Sequence, residues 1–468
     1  MKKIKRNLVL FFLALVGVAP VSASFDSFKV PSSSSIRKEI LDDWLLPSLD
    51  ELRTKAPEIH RNETGQEFQV RLEETDGFFA VIIAPKVEAE VEVYTENGVE
   101  VRVEDEYPAD SSGSWVLIKN SKTGQIERIK MYFTASSNMY IQFSPEKTAL
   151  GKNSKKTLGD FIIDDLYACK GVKIGIPVEF LYTASFREVF LMTEKTFPWK
   201  YADCQKGQFH SKFQMIGVIR KNMGRFVYLE DSCFDEKGEL INISDGQKKN
   251  LQGEEIENLK DKLPLDDAGF LKWVIDGLVI PVAGNGLYRQ PLVVKTMNYN
   301  SVGLGGILDE KIDLSFTLDW CRNLAAAAFS LSSGRNYFWN EAGVDVNIEP
   351  FASVVCDKGN SQTPGYIKNS GYKISILPAL LQVLSSLEPS YCYLAAVKTP
   401  FREQELPEFF AFNKCALLLP FYDDNGRFNC VVFEGGKEYT LKNFIESNEN
   451  AFVHLSRVLS SSKFYPEP

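Results

Sequence analysis

The chain reads as a multidomain protein, with an all-β sandwich in its N-terminal part and an α+β domain after it. Two patterns and the length predict this. Between about residues 60 and 148 apolar and polar residues alternate in short runs separated by turn residues, the period of half-buried strands. In the last third helical runs mix with strand-like runs without regular βαβ alternation. A length of 468 residues is enough for two or three domains, and 44% hydrophobic content supports real cores.

Taken in order, residues 1–23 read as an export signal. Lys2, Lys3, Lys5 and Arg6 precede the apolar run Leu8 to Val18, and Val21-Ser22-Ala23 supplies small residues for cleavage after Ala23. The expected location is periplasmic or secreted. The first cysteine is Cys169, so a lipid-anchored terminus is not expected, and no later run is long and apolar enough to span a bilayer. Residues 24–58 form a helical lead-in, with Ile36, Ile40, Trp44, Leu45 and Leu49 at helical spacing and a break at Pro47.

The sandwich is assigned to 59–148. Val91 and Val93 lie before a turn, and Val99, Val101 and Val103 after it, with Asn97-Gly98 as the type I′ pair. Glu88, Glu90, Glu92, Glu100 and Glu104 are expected on its solvated outer face. Residues 149–209 read as a linker and mixed segment, the basic stretch 146–157 being the linker. The α+β domain takes 210–468.

A net charge of −9 argues against nucleic-acid binding and against simple adhesion to an anionic membrane. The eight cysteines are scattered and no CxxC pair occurs, so no metal site is expected. Most read as buried thiols, with Cys204 and Cys233 the pair to test for a bridge. Three histidines, His60, His210 and His454, limit any mechanism that needs a histidine base. His454 reads as a core histidine and His210 as an exposed loop residue. The glycine-rich runs at 283–292 and 300–308 match neither a dinucleotide fingerprint nor a P-loop, and no cofactor is expected.

The most informative stretch is Pro264 to Leu278. Phe270, Leu271, Trp273, Val274, Ile275 and Leu278 leave almost no polar face, so this helix must be buried all round. Asp266 or Asp267 caps it by accepting a bond from a first-turn amide, worth about 1 kcal/mol. A cysteine at such a position would be an activated nucleophile. The run from Asp266 through Gly269, Phe270 and Leu271 to Val274 resembles the nucleophile signature of the NlpC/P60 family of papain-like cell-wall peptidases. Asp267 stands where that family has cysteine, and Ala268 where serine is usual. The strand Lys414 to Leu419 resembles the family's histidine strand, with Lys414 at the histidine position and Asn429, on the returning strand, the candidate third polar residue. About 140 residues separate the two motifs, roughly twice the family's usual spacing, so a large insertion near 285–400 is implied. The whole chain also resembles exported spirochaete proteins.

The resemblance implies a papain-like domain whose catalytic positions Asp267, Lys414 and Asn429 are vestigial. Ala268, Gly269 and Trp273 are its candidate cleft residues. A carboxylate at a helix start should have a lowered pKa, making it a poor nucleophile and a poor general acid. The expectation is therefore a non-catalytic envelope protein that binds cell-wall material or a protein partner. One alternative is an active peptidoglycan peptidase or amidase with an atypical nucleophile, Cys321 or Asp267. The other is a structural or assembly protein acting through the β-sandwich.

Overall fold

A computed structural model describes residues 28–95, 98–147, 153–204, 207–251, 258–297, 313–355, 361–362, 364–401 and 409–466. The export signal, Asn97 of the expected turn and Cys356 lie outside the described residues.

The lead-in is helical as expected. It comprises α1 (Ser34–Glu39), a π turn over Leu41–Leu45 and α2 (Leu49–Leu52). Its periodic residues Ile36, Ile40, Trp44, Leu45 and Leu49 are all buried. The N-terminal half then forms a large antiparallel sheet. Its strands are β1 (Glu58–Arg61), β2 (Glu67–Thr75), β3 (Phe78–Pro85), β6 (Trp115–Asn120), β7 (Ile126–Tyr132), β8 (Met139–Lys147), β9 (Asn153–Ile163) and β10 (Leu166–Ile174). They are hydrogen-bonded in that order into one continuous sheet rather than two. Alternation places Phe79, Val81 and Ile83 of β3 in the core, and Phe68, Leu117, Ile129, Ile141 and Phe161 join them from neighbouring strands. The lead-in residues, α3 (Phe186–Thr193) and Trp199 pack into the same core. Arg37 of α1 is fully enclosed and donates to the carbonyls of Leu181, Tyr182 and Ala184 at 3.1, 2.7 and 2.7 Å, clasping the start of the chain to its later part.

Two expectations change here. The basic stretch 146–157 is not an interdomain linker: β8 runs to Lys147 and β9 starts at Asn153, and the two strands pair. The sheet therefore reaches residue 174. The second change concerns β4 (Val87–Thr95) and β5 (Gly98–Glu106), which form a separate hairpin. Thr95 pairs with Gly98. This register pairs Val91 with Arg102, Val93 with Glu100 and Glu92 with Val101. The side chains of Glu90, Glu92 and Glu100, expected on the outer face, lie outside the described ones.

After α4 (His210–Asn222) come short pairs. β11 (Phe226–Tyr228) pairs in parallel with β14 (Leu263–Leu265), and β12 (Ser232–Phe234) antiparallel with β13 (Leu240–Asn242). Then follow α5 (Asp267–Ala283), α6 (Arg289–Leu292), α7 (Phe316–Ser333), the pair β15 (Val354–Val355) and β16 (Ser361–Gln362), and α8 (Leu377–Leu387). The C-terminal sheet has the order β17-β22-β18-β19-β20-β21. Its strands are β17 (Tyr372–Lys373), β18 (Tyr391–Phe401), β19 (Phe409–Tyr422), β20 (Phe428–Glu434), β21 (Lys437–Thr440) and β22 (Phe452–Leu459), with α9 (Leu441–Glu446) before the last.

Helices α5 and α7 cover one face of this sheet, meeting Leu394, Ala396, Leu417 and Leu419. The other face, through Tyr393, Ala395, Val397 and Leu418, packs with α8 into the core that also holds the N-terminal sheet. Burial on both faces explains the continuous apolar run Cys415 to Leu419. The segment expected as an insertion near 285–400 supplies α7, α8 and the central strand β18, so it is integral to the core. Among the described residues no helix is long and apolar enough to cross a membrane.

Candidate functional site

Asp266 is the residue that caps α5, its Oδ1 accepting from Gly269 N at 2.6 Å. Strand β12 lies hard against this first turn. A Cβ on Gly269 would sit 2.0 Å from the Ser232 carbonyl oxygen. Packing alone therefore requires the glycine of the peptidase-like pattern. Burial is complete from Ala268 to Gly277, and even the polar pair there is enclosed: Lys272 Nζ meets Asp276 Oδ2 at 2.6 Å, with side chains 1% and 6% exposed. Ala268, Gly269 and Trp273 are buried in packing contacts. Ala268 O accepts from Trp320 Nε1 at 2.9 Å, and Trp273 packs edge-on against Phe226 and Phe464.

Long-range packing brings Asp267 and Lys414 together at this helix start. Burial pushes the Asp267 carboxyl up, and the charges of Lys414 and Lys437 pull it back. Glu434, at the end of β20, is raised by the same burial; Lys414 pulls it back and Asp267 pushes it further. Lys414 Nζ donates to Asn448 Oδ1 at 3.1 Å, and buried Asn448 is anchored by Nδ2 donating to Phe444 O at 2.8 Å. Asn429 does not join them. It pairs with Phe421, seven residues along β19 from Lys414, or roughly 23 Å at strand rise. Asn448 fills the place expected for Asn429. Its one sequence signal is a polar residue just past the apolar face of α9.

The expected lowering of the capping carboxylate does not occur. Burial pushes Asp266 up to about 6, outweighing its bond from Gly269, and Asp267 shifts the same way. Desolvation wins over the helix end because β12 and the β20–β21 turn exclude water. That turn, Gly435-Gly436, has positive φ at both residues and lies on the helix start. A Cβ on Gly435 would be 2.6 Å from Asp267 Oδ1, and one on Gly436 2.7 Å from Phe226 Cβ. The chain itself packs onto this helix start.

Among the described residues the cysteines nearest this helix start are buried. Cys321 is fully buried in α7 and burial raises its thiol, so it is a packing residue and not a nucleophile. Cys415, beside Lys414, is likewise enclosed and raised. Cys204 and Cys233 are both free thiols, not a bridge. Cys204 and His210 do line one cavity of about 890 Å³, but burial, with Asp203 and Asp423 nearby, pushes that thiol up to about 12. His210 is not in a loop but begins α4, where it is exposed.

His454 is buried in a polar cluster that sequence reasoning did not assemble. Arg322 makes a two-pronged pair with Asp345 at 3.1 and 2.7 Å. His454 Nε2 lies 3.3 Å from Arg322 Nη2 and 3.4 Å from Asp345 Oδ2. Burial lowers the His454 pKa, so the ring is neutral near pH 7. Among the described residues no group of three or more His, Cys, Asp or Glu could hold a metal ion.

A family model described as a domain of unknown function (DUF8515) matches residues 26–201. That span runs from the lead-in to the Trp199–Tyr201 turn, the stretch that closes around the N-terminal sheet. No curated protein and no solved structure matches the chain.

Proposed function

We propose that this is an exported, non-catalytic envelope protein that binds cell-wall material or a protein partner, its C-terminal domain a papain-like fold with a lost active site. The observation that carries the reading is the blocked helix start. In this reading Asp267 holds the nucleophile position, Lys414 and Asn448 stand where a base and its orienting residue would be, and the Gly435-Gly436 turn lies against Asp267 and Phe226. A hydrolase needs an open site with a nucleophile in reach of a base, and this arrangement offers neither.

The test uses the purified full chain and purified peptidoglycan. Co-sedimentation with the insoluble wall, without release of soluble fragments, is the expected result. Release of fragments by the wild type that is lost in Asp267→Ala would overturn the reading.

A further inference from the structure

At the far end of α5 the surface is of another kind. Val279 and Ala283 of α5, Ala326 and Leu331 of α7 and the 336–341 loop enclose a cavity of about 810 Å³. Asp267 and Ala283 are sixteen residues apart, roughly 24 Å at helical rise. The cavity is therefore separate from the blocked helix start.

Its walls are built for a specific chemistry. Gly334 ends α7 with positive φ, and Ser330 Oγ accepts from Tyr337 N at 2.9 Å, which folds the aromatic run Tyr337-Phe338-Trp339 back over the helix. Phe338 remains 75% exposed and Tyr288, across the cavity, 61%. The Trp339 ring is fixed from behind: the Arg322 guanidinium, its side chain 1% exposed, lies 4.2 Å from the ring centroid and is locked by Asp345. An indole held on one face by a buried ion pair is a preorganised platform.

Between these rings the lining carries four amides, Asn285, Asn323, Asn336 and Asn340. Asn323 commits its Nδ2 to the carbonyls of Leu292 and Val294, which aims its oxygen elsewhere. The charged residues are already engaged: Lys295 pairs with Asp313, and Glu341 accepts from Phe338 N at 3.2 Å. The site therefore calls for a neutral ligand with apolar faces and many hydroxyl or amide groups. All the lining residues lie in helices and loops, so an extended peptide would find no strand edge to join.

We infer that this cavity binds a neutral oligosaccharide, its sugar rings stacked on Trp339, Phe338 and Tyr288 and its hydroxyl groups bonded by the asparagines. The inference rests on the binding reading above and moves the ligand from the blocked helix start to the opposite end of α5.

The experiment titrates the full chain with the β-1,4-linked N-acetylglucosamine tetramer and with maltotetraose, by tryptophan fluorescence and calorimetry. Phe338→Ala and Asn340→Ala, both at exposed positions, are titrated alongside with their thermal midpoints. Saturable wild-type binding that weakens at least about tenfold in each variant, at unchanged midpoint, is expected. No binding of either sugar at millimolar concentration, or equal binding by both variants, would overturn the inference. So would displacement of the sugar by a free tetrapeptide that binds more tightly. Sedimentation on peptidoglycan separates the two readings. If Phe338→Ala still sediments, the saccharide site is wrong and the envelope-binding reading stands. If the wild type binds soluble sugar but not the wall, the reverse holds.

Discussion

The N-terminal and C-terminal regions bury their cations differently. In the N-terminal region the fully buried cations end on backbone carbonyls: Arg37 on Leu181, Tyr182 and Ala184, and Lys119 on Leu45. In the C-terminal region Lys272 and Arg322 end on the carboxylates of Asp276 and Asp345, with Lys212, bonded to Pro420 O, as the exception. A cation on carbonyls gains hydrogen bonds but keeps its desolvation cost, and burial pushes Arg37 down to about 9. It serves as a clasp between segments about 145 residues apart. A cation on a carboxylate is neutralised where it stands and can then carry other groups, as Arg322 carries Trp339 and His454. The N-terminal cations hold the fold closed, whereas Arg322 also shapes a surface.

Substitutions can break this contrast, the largest effect being expected at the Arg322 pair. Asp345→Ala leaves a guanidinium buried without its carboxylate and should cost about 3–5 kcal/mol in urea unfolding. An effect below about 1 kcal/mol would show that Arg322 is not truly enclosed. Gly269→Ala should come next, at about 3 kcal/mol, because the new methyl meets the Ser232 carbonyl rather than a movable side chain. Arg37→Met should cost about 2–3 kcal/mol by stripping donors from buried carbonyls. Limited proteolysis should then cut first in the lead-in, and cleavage elsewhere would remove the clasp from the account.

The smallest effect is a pH dependence at Asp266, raised to about 6 from an ordinary 3.8. Between those values the native state holds a proton that the unfolded chain releases. Stability therefore falls as pH climbs through about 6. Asp266→Asn keeps a capping oxygen without the charge. It should be more stable than wild type above pH 6, by about 1–3 kcal/mol, and equal to it near pH 4. A thermal-melt series that shows no pH-dependent gap would return Asp266 to an ordinary solvated cap.

What was legible in the sequence was local. Alternation along β3, helical spacing in the lead-in and the all-apolar face of α5 follow from side-chain periods of two and 3.6, which neighbours a few residues away suffice to set. The helix cap was legible too, because Asp266 and Gly269 lie three residues apart. Less local features misled. Val91 lies opposite Arg102 and Val93 opposite Glu100 in the hairpin, since register depends on the pairing rather than on either strand alone. The stretch at 146–157 looked like a linker because its basic residues mask a strand that only its neighbour identifies.

Tertiary structure alone decided the sites. Asn448 reaches Lys414 from 34 residues away, and His454 reaches Arg322 from 132. Nothing in either segment's composition announces the other. The direction of the Asp266 shift was also beyond the sequence. The helix end favours the charged form and is visible in the chain, whereas the water excluded by β12 and the Gly435-Gly436 turn is not. The aromatic run Tyr337 to Trp339 had a signal that could have been read, three rings in a polar glycine- and asparagine-rich loop. Its meaning came only when Arg322, Asn323 and Tyr288 arrived beside it. Periodicity is a property of one segment, whereas a binding site depends on which segments meet.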